Sequence, residues 1–471
     1  MNDVSARLRR VAPLTLVFMA SMGLLGLLGP VGDSRGLESA AAEPVGKRFD
    51  TDEAEYLAMG VHSLAQLLGE TDASAGGQLP ATGQPGADPW RSGVHESTFG
   101  FQSPGLPKLV FGLVARASGV AAIDPAVYPR FVPKELPKGA AKERRLAARE
   151  RLVPALGPAR DLVRALASLV AVLLFAAGRR VAATWGAGSC YEHLAGSLAA
   201  GLWLASPATL EAANHVRPGL LVILFWSTGL VLVQRRLGDQ GSSPRLGAGD
   251  SMAAQSAAQQ LEASSSNWSL ALVLGLALGL ATASKLNGVL FAPLVPVFLA
   301  LVGVRGRRLV AGTAVAGLLA FAIFVLFAPG LWHDTLGGTG QILQAWRGDL
   351  AHQAALYGDT VTVPKSYLAA LVLALGGLFT EAGAFSTWVP YLGASLGLLG
   401  FVALAGGARH SLQDRAVLAW CVALVVGSGL VLPMDRLRYL LPLAAPTALA
   451  GGLFVARVVL WARARSAEPR G

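Results

Sequence analysis

Ten long apolar runs divide the chain, at roughly 11–30, 161–178, 194–212, 216–234, 268–284, 287–304, 309–329, 387–406, 416–433 and 439–461. Each approaches the length of about 20 residues that a helix needs to cross about 30 Å of hydrocarbon. None shows the two-residue alternation of a membrane β-barrel strand. Backbone inside lipid must satisfy its own hydrogen bonds, so the runs predict α-helices. A shorter stretch at 366–380 reads as a piece lying at one interface or re-entering from it. The expected fold class is an all-α polytopic membrane protein of about 10 (10–12) transmembrane helices, forming a single transmembrane domain over 1–471.

Composition agrees with lipid as the solvent. Apolar types make up 53% of the 471 residues and charged types 14%, against about 25% charged in ordinary soluble domains. Mean hydropathy is +0.51. The formal net charge of +10 does not indicate nucleic acid, because Lys and Arg gather at the ends of apolar runs, where they set topology. The clusters are Arg7 to Arg10, Arg179-Arg180, Arg235-Arg236, Arg305 to Arg308, Arg409 to Arg415 and Arg463 to Arg465. Ten crossings put all six on the cytoplasmic side. The first run then acts as an uncleaved signal anchor rather than a signal peptide cleaved near Ala40-Ala41-Ala42. Two segments face outward: a long first loop over 31–160, carrying amphipathic interfacial helices, and a second region over 330–386. Residues 130–151 are basic yet lie in the first loop; long loops translocate largely regardless of charge. Residues 235–267, rich in Ser, Ala, Gln and Gly, are expected to form a flexible cytoplasmic loop. The two cysteines, Cys190 and Cys421, provide neither a disulfide framework nor a metal spacing.

Polar chemistry collects on the outward side. Asp50, Asp52, Glu53 and Glu55 fall within one short stretch after the first run. They suit the start of a helix, where Asp caps and acidic residues complement the dipole. They also suit a base near a membrane surface, since desolvation raises a carboxylate's proton affinity. Gln102 to Lys108 makes a Pro/Gly-interrupted entry into an amphipathic segment ending near Val120. Arg217 follows the third run, Lys285 ends the fifth, and His333 and Asp334 follow the seventh. Arg436, Arg438 and Tyr439 stand before the tenth. Arginines on the side that disfavours positive charge ask for a functional account, and the guanidinium fork suits phosphate. A base for an acceptor and cations for a leaving phosphate are what sugar transfer from a sugar phosphate requires.

The order of these motifs resembles the GT-C membrane glycosyltransferases, specifically the family of protein O-mannosyltransferases and the lipid A aminoarabinose transferase (glycosyltransferase family 39). Phe49 to Tyr56 is similar to its acidic motif, and Gln102 to Lys108 to its "HPPLGK" segment, with Gln102 and Ser103 near the usual His. Gly279 to Gly288 is similar to its "G…K.NG" span end, Pro329 to Asp334 to its following loop, and Arg438 to Pro442 to its "RYLLP" motif. The resemblance implies inverting transfer of a hexose or pentose from a polyprenyl-phosphate-linked donor to a protein, lipid or glycan acceptor. It further implies Asp52 or Glu53 as base, with Asp50 as rival, and Lys285, Arg436, Arg438 and Tyr439 at the donor phosphate. Lys108, Gln102, Arg217, His333 and Asp334 remain for substrate binding. No metal is required, although some GT-C enzymes use a divalent ion. The expected location is a bacterial plasma membrane, with the site facing outward. A transporter or flippase, and an inactive scaffold of the same layout, are the competing readings.

Overall fold

The computed structural model describes residues 2–28, 53–68, 105–121, 137–186, 188–241, 252–328, 335–337, 339–340, 388–431 and 437–467. Most of these are helical, and among them there is no strand. In chain order the helices are α1 (Asn2–Leu28), α2 (Glu53–Leu67), α3 (Gly105–Ala117), α4 (Lys138–Glu150), α5 (Val153–Ala183), α6 (Ser189–Ala205) and α7 (Pro207–Asn214). They continue with α8 (Gly219–Gly241), α9 (Met252–Ser284), a 3₁₀ turn (Leu286–Phe291), α10 (Leu294–Leu301), α11 (Gly306–Leu326), α12 (Trp388–Gly407), α13 (Leu412–Val431) and α14 (Leu437–Ala467).

Among the described residues four helical segments are long and apolar enough to cross a membrane: 153–183, 219–239, 306–326 and 441–466. Shorter apolar segments lie at 11–27, 268–284, 286–301 and 395–407. The ten expected crossings are therefore not matched one for one by long helices. The run at 194–212 is broken at Ser206, which is extended (ψ 128°) ahead of Pro207. A proline at the first helical position starts a helix but cannot continue one. The run at 287–304 divides into the 3₁₀ turn and the eight-residue α10. The segment expected as a flexible loop over 235–267 is shorter, because α8 runs to Gly241 and α9 begins at Met252. Residues 252–262 contain Met, Ala, Gln, Leu and Glu, which are good helix formers. The stretch at 366–380 lies outside the described residues, as does most of 330–386.

Helices in lipid gain little from burying apolar side chains against each other, so close approach of small residues does much of the packing. Gly275 and Gly279 of α9 fit against Ala316 and Ala320 of α11, where an added Cβ would lie 2.7 to 2.9 Å from their backbone atoms. Gly452 of α14 likewise meets Ala199 of α6. The expected interfacial segment forms α3, but it is not a free surface helix. Phe111, Gly112 and Ala115 are buried, and a Cβ on Gly60 of α2 would stand 2.5 Å from the Gly112 nitrogen.

Polar groups separate to two ends of the bundle. At one end Arg180 donates to the Val231 carbonyl (2.6 Å) and Arg179 pairs with Glu192 (3.7 Å). There Gln413 donates to the Gln234 carbonyl (2.8 Å), and Arg463 to the Tyr191 hydroxyl (3.1 Å). Arg457 pairs with buried Asp414 (2.7 Å) and stacks on Trp185 (4.7 Å). Four of the six basic clusters, at 179–180, 235–236, 409–415 and 463–465, thus fall in one zone. Along α5, Arg160 precedes Arg180 by 20 residues, about 30 Å of helix, which matches the hydrocarbon thickness. Arg160 marks the opposite end.

Candidate functional site

At this opposite end α2 begins with Glu53, whose side chain has no exposed surface. Arg160 of α5 grips it with a fork: Nε donates to Oε1 (2.9 Å) and Nη2 to Oε2 (2.7 Å). The Val216 backbone N–H adds a third bond to Oε1 (3.0 Å). A carboxylate taken out of water needs such partners, and two of these are charge-assisted. Next to it Arg164 reaches Asp161 (2.9 Å) and the Asn214 side-chain oxygen (3.3 Å). Arg217 pairs with Glu211 (2.7 Å).

Lys285 stands three residues before Gly288, at the turn between α9 and the 3₁₀ helix. The Lys285 N–H closes α9 on the Ala281 carbonyl (3.0 Å), and Gly288 N–H donates back to the Lys285 carbonyl (2.7 Å). Gly288 rests on the last turn of α9 so closely that a Cβ would lie 2.5 Å from the Thr282 nitrogen. Only glycine admits that approach, which explains the Lys-x-Asn-Gly spacing physically. Lys285 and Asn287 thereby open onto a cleft whose other walls include Phe291, Ser428, Leu441 and Pro442. Leu441 and Pro442 belong to the motif that begins α14. Pro442 has no N–H to give the Arg438 carbonyl, and Pro446 none for Pro442, so the first turns of α14 are loosened at the cleft.

The two polar groups are neighbours. Val216 bonds Glu53 and Gly219 lines the cleft, and three residues of chain span at most about 11 Å. Lys108, on α3, is half-buried by surface area. The density of protein around its ammonium governs its titration, and burial pushes it down to about 8.

The structure thus places Arg217, paired with Glu211, next in the chain to Val216, which bonds Glu53, and brings Lys285 beside the start of α14. Asp50, Asp52, Gln102, His333, Asp334 and Arg436 lie outside the described residues. Arg438 and Tyr439 fall in the first turn of α14. Among the described residues no three His, Cys, Asp or Glu side chains gather as metal ligands. Residues that sequence reasoning missed are Arg160, Arg164 and Ser428. Arg160 and Arg164 did carry a signal, being arginines at the end where the charge rule disfavours them.

No protein-family model matches the sequence, and no curated protein matches it significantly. Among solved structures the chain is similar to the oligosaccharyltransferase of Archaeoglobus fulgidus tethered to an acceptor peptide with an NVT sequon, at 14% identity and a TM-score of 0.37. That match covers 67% of this chain and 40% of the other. It is also similar to the archaeal oligosaccharyltransferase AglB of the same organism in complex with an inhibitory peptide and a dolichol-phosphate, at 15% identity and a TM-score of 0.37, covering 68% and 42%. The chain spans about two fifths of the length of these structures. Likeness at that level does not establish a shared fold.

Proposed function

We propose that the protein is an inverting glycosyltransferase, moving a sugar from a polyprenyl-phosphate-linked donor to a protein, lipid or glycan acceptor on the extracytoplasmic side of a bacterial plasma membrane. The observation that carries the reading is the Lys285 cleft, which joins a cation and an amide to apolar walls beside the start of α14. An amphiphile with an anionic head fits such a mixed lining. The cleft lies at the end of the bundle away from the basic clusters, which agrees with an outward site.

In this reading an acidic side chain takes the proton from the acceptor hydroxyl. The acceptor oxygen attacks the anomeric carbon from the face opposite the phosphate. The bond from that carbon to the phosphate oxygen breaks, and polyprenyl phosphate departs with the electron pair. Lys285, Arg436, Arg438 and Tyr439 would stabilise its charge. The bonds from Arg160 and Val216 occupy Glu53 as the anchor of α2, which favours Asp52 as base, with Asp50 next. Lys108, Gln102, Arg217, His333 and Asp334 are assigned to substrate binding.

The test is sugar release by purified protein in detergent from a panel of polyprenyl-phosphate sugars, wild type beside Asp52→Asn. Turnover in wild type alone supports the donor class and the base. Equal turnover in both moves the base to Asp50. No turnover with any donor refutes the reading, and solute flux in vesicles would then test a transporter.

A further inference from the structure

Five buried hydroxyls have no hydrogen-bond partner among the described residues: those of Ser168, Thr209, Ser227, Thr313 and Ser428. Of these, only Ser428 lines the Lys285 cleft. Its residue is 2% exposed. A helical serine ordinarily donates to the carbonyl four residues back, as Ser284 and Thr282 do here at 2.7 and 2.8 Å. Ser428 makes no such bond to Leu424. A buried donor left unmade is costly, and a native structure retains one where something else completes it.

The surroundings say what completes it. The neighbouring residue is Gly427, where a Cβ would stand 3.1 Å from the Phe291 ring, so α13 approaches the cleft with its slimmest residue. The other polar lining residues are Lys285, a cation, and Asn287, whose amide NH2 can donate. A cation, an amide and a buried hydroxyl lining one space suit an anion with several acceptor oxygens.

We infer that Ser428 is a binding residue of this cleft, donating its hydroxyl to an oxygen of a phosphate monoester or diester held by Lys285. The inference rests on the function proposed above and adds to it a residue from α13. Rotation about the Cα–Cβ bond turns the hydroxyl between helix and cleft without moving the backbone. Two sources supply such an anion, a lipid phosphate and free phosphate; the apolar wall of Phe291 and Leu441 favours the lipid.

Full-length protein in detergent would be titrated with farnesyl phosphate, inorganic phosphate and farnesol, comparing wild type, Ser428→Ala and Lys285→Ala. A hydrogen bond to a charged group predicts about tenfold weaker farnesyl phosphate binding in Ser428→Ala. Without ligand, Ser428→Ala should melt at or above the wild-type temperature, since it deletes an unsatisfied buried donor. A purely structural serine would instead lower the melting temperature, and that result overturns the inference. Unchanged affinity in Ser428→Ala with loss in Lys285→Ala also overturns it, while leaving the proposed function standing. No binding of farnesyl phosphate by wild type overturns both. Inorganic phosphate binding as tightly as farnesyl phosphate, and weakened alike by Ser428→Ala, supports the hydroxyl contact and assigns it to free phosphate.

Discussion

Replacing Arg160 by Ala should destabilise the protein by about 3–5 kcal/mol. Glu53 is wholly buried and accepts two hydrogen bonds from the Arg160 guanidinium, at 2.9 and 2.7 Å, and one from the Val216 N–H at 3.0 Å. Breaking a buried pair from one side is costly because the charge left behind is uncompensated. Glu53→Gln added to Arg160→Ala removes the stranded charge and keeps an acceptor for the Val216 N–H, so the double variant should be more stable than Arg160→Ala alone. Tryptophan fluorescence during denaturant unfolding of the purified proteins at pH 7 reads both differences. A loss under about 0.5 kcal/mol in Arg160→Ala, or a double variant no more stable than the single one, would refute the description of Glu53 as a buried anchor.

Two further outcomes follow from the geometry. Gly288→Ala places a methyl 2.5 Å from the Thr282 nitrogen, so the turn bearing Lys285 must open; farnesyl phosphate affinity should fall at least about tenfold, a change of about 1.4 kcal/mol, while membrane insertion persists, and unchanged affinity would show that the turn does not set the cleft. Lys108 titrates near 8 in the folded protein against 10.5 in the open chain, so the unfolded state holds more protons between those values and stability rises with pH across that window. Lys108→Met should remove that rise in melting experiments between pH 8 and 10.5; an identical rise in both proteins would contradict the burial of its ammonium.

Much of the bundle could be read from the sequence because lipid imposes a crude rule, namely apolar length followed by charge. The end of α5 three residues past Arg180, the end of α9 at Ser284 beside Lys285 and the start of α14 at Leu437 beside Arg438 all fall where an apolar run meets polar residues. The breaks were harder. Ser206-Pro207 sits inside an apolar run, and hydropathy averaging passes over it, although proline chemistry marks it. The Glu53–Arg160 pair joins residues 107 apart, and a single sequence contains no statement about which charge faces which. Ser428 was invisible for another reason. A serine in an apolar helix usually bonds its own backbone and signals nothing; only the missing bond, seen in three dimensions beside a cleft, makes it informative.

The two ends of the bundle use the same residue types differently, and that difference carries the functional argument further than any one motif. At the basic end, positive charge is expected on topological grounds, and Arg179, Arg180, Arg457 and Arg463 bind helix to helix through Glu192, Val231, Asp414 and Tyr191. At the other end topology disfavours cations, so each requires its own reason. Arg160 and Arg217 have one in Glu53 and Glu211, which lock α5, α7 and the start of α8 around the acidic helix. Lys285 is held differently, on a glycine-tight turn whose geometry directs it to a cleft lined by Asn287 and Ser428. A lysine spent on packing would not need Gly288 pressed against the α9 backbone to place it. The rigid network at Glu53 and the cleft at Lys285 are joined through Val216 to Gly219. An anion bound at Lys285 would therefore sit a few residues of chain from Glu53 at the start of α2, which is the kind of proximity that the proposed transfer from a lipid phosphate to an activated hydroxyl requires.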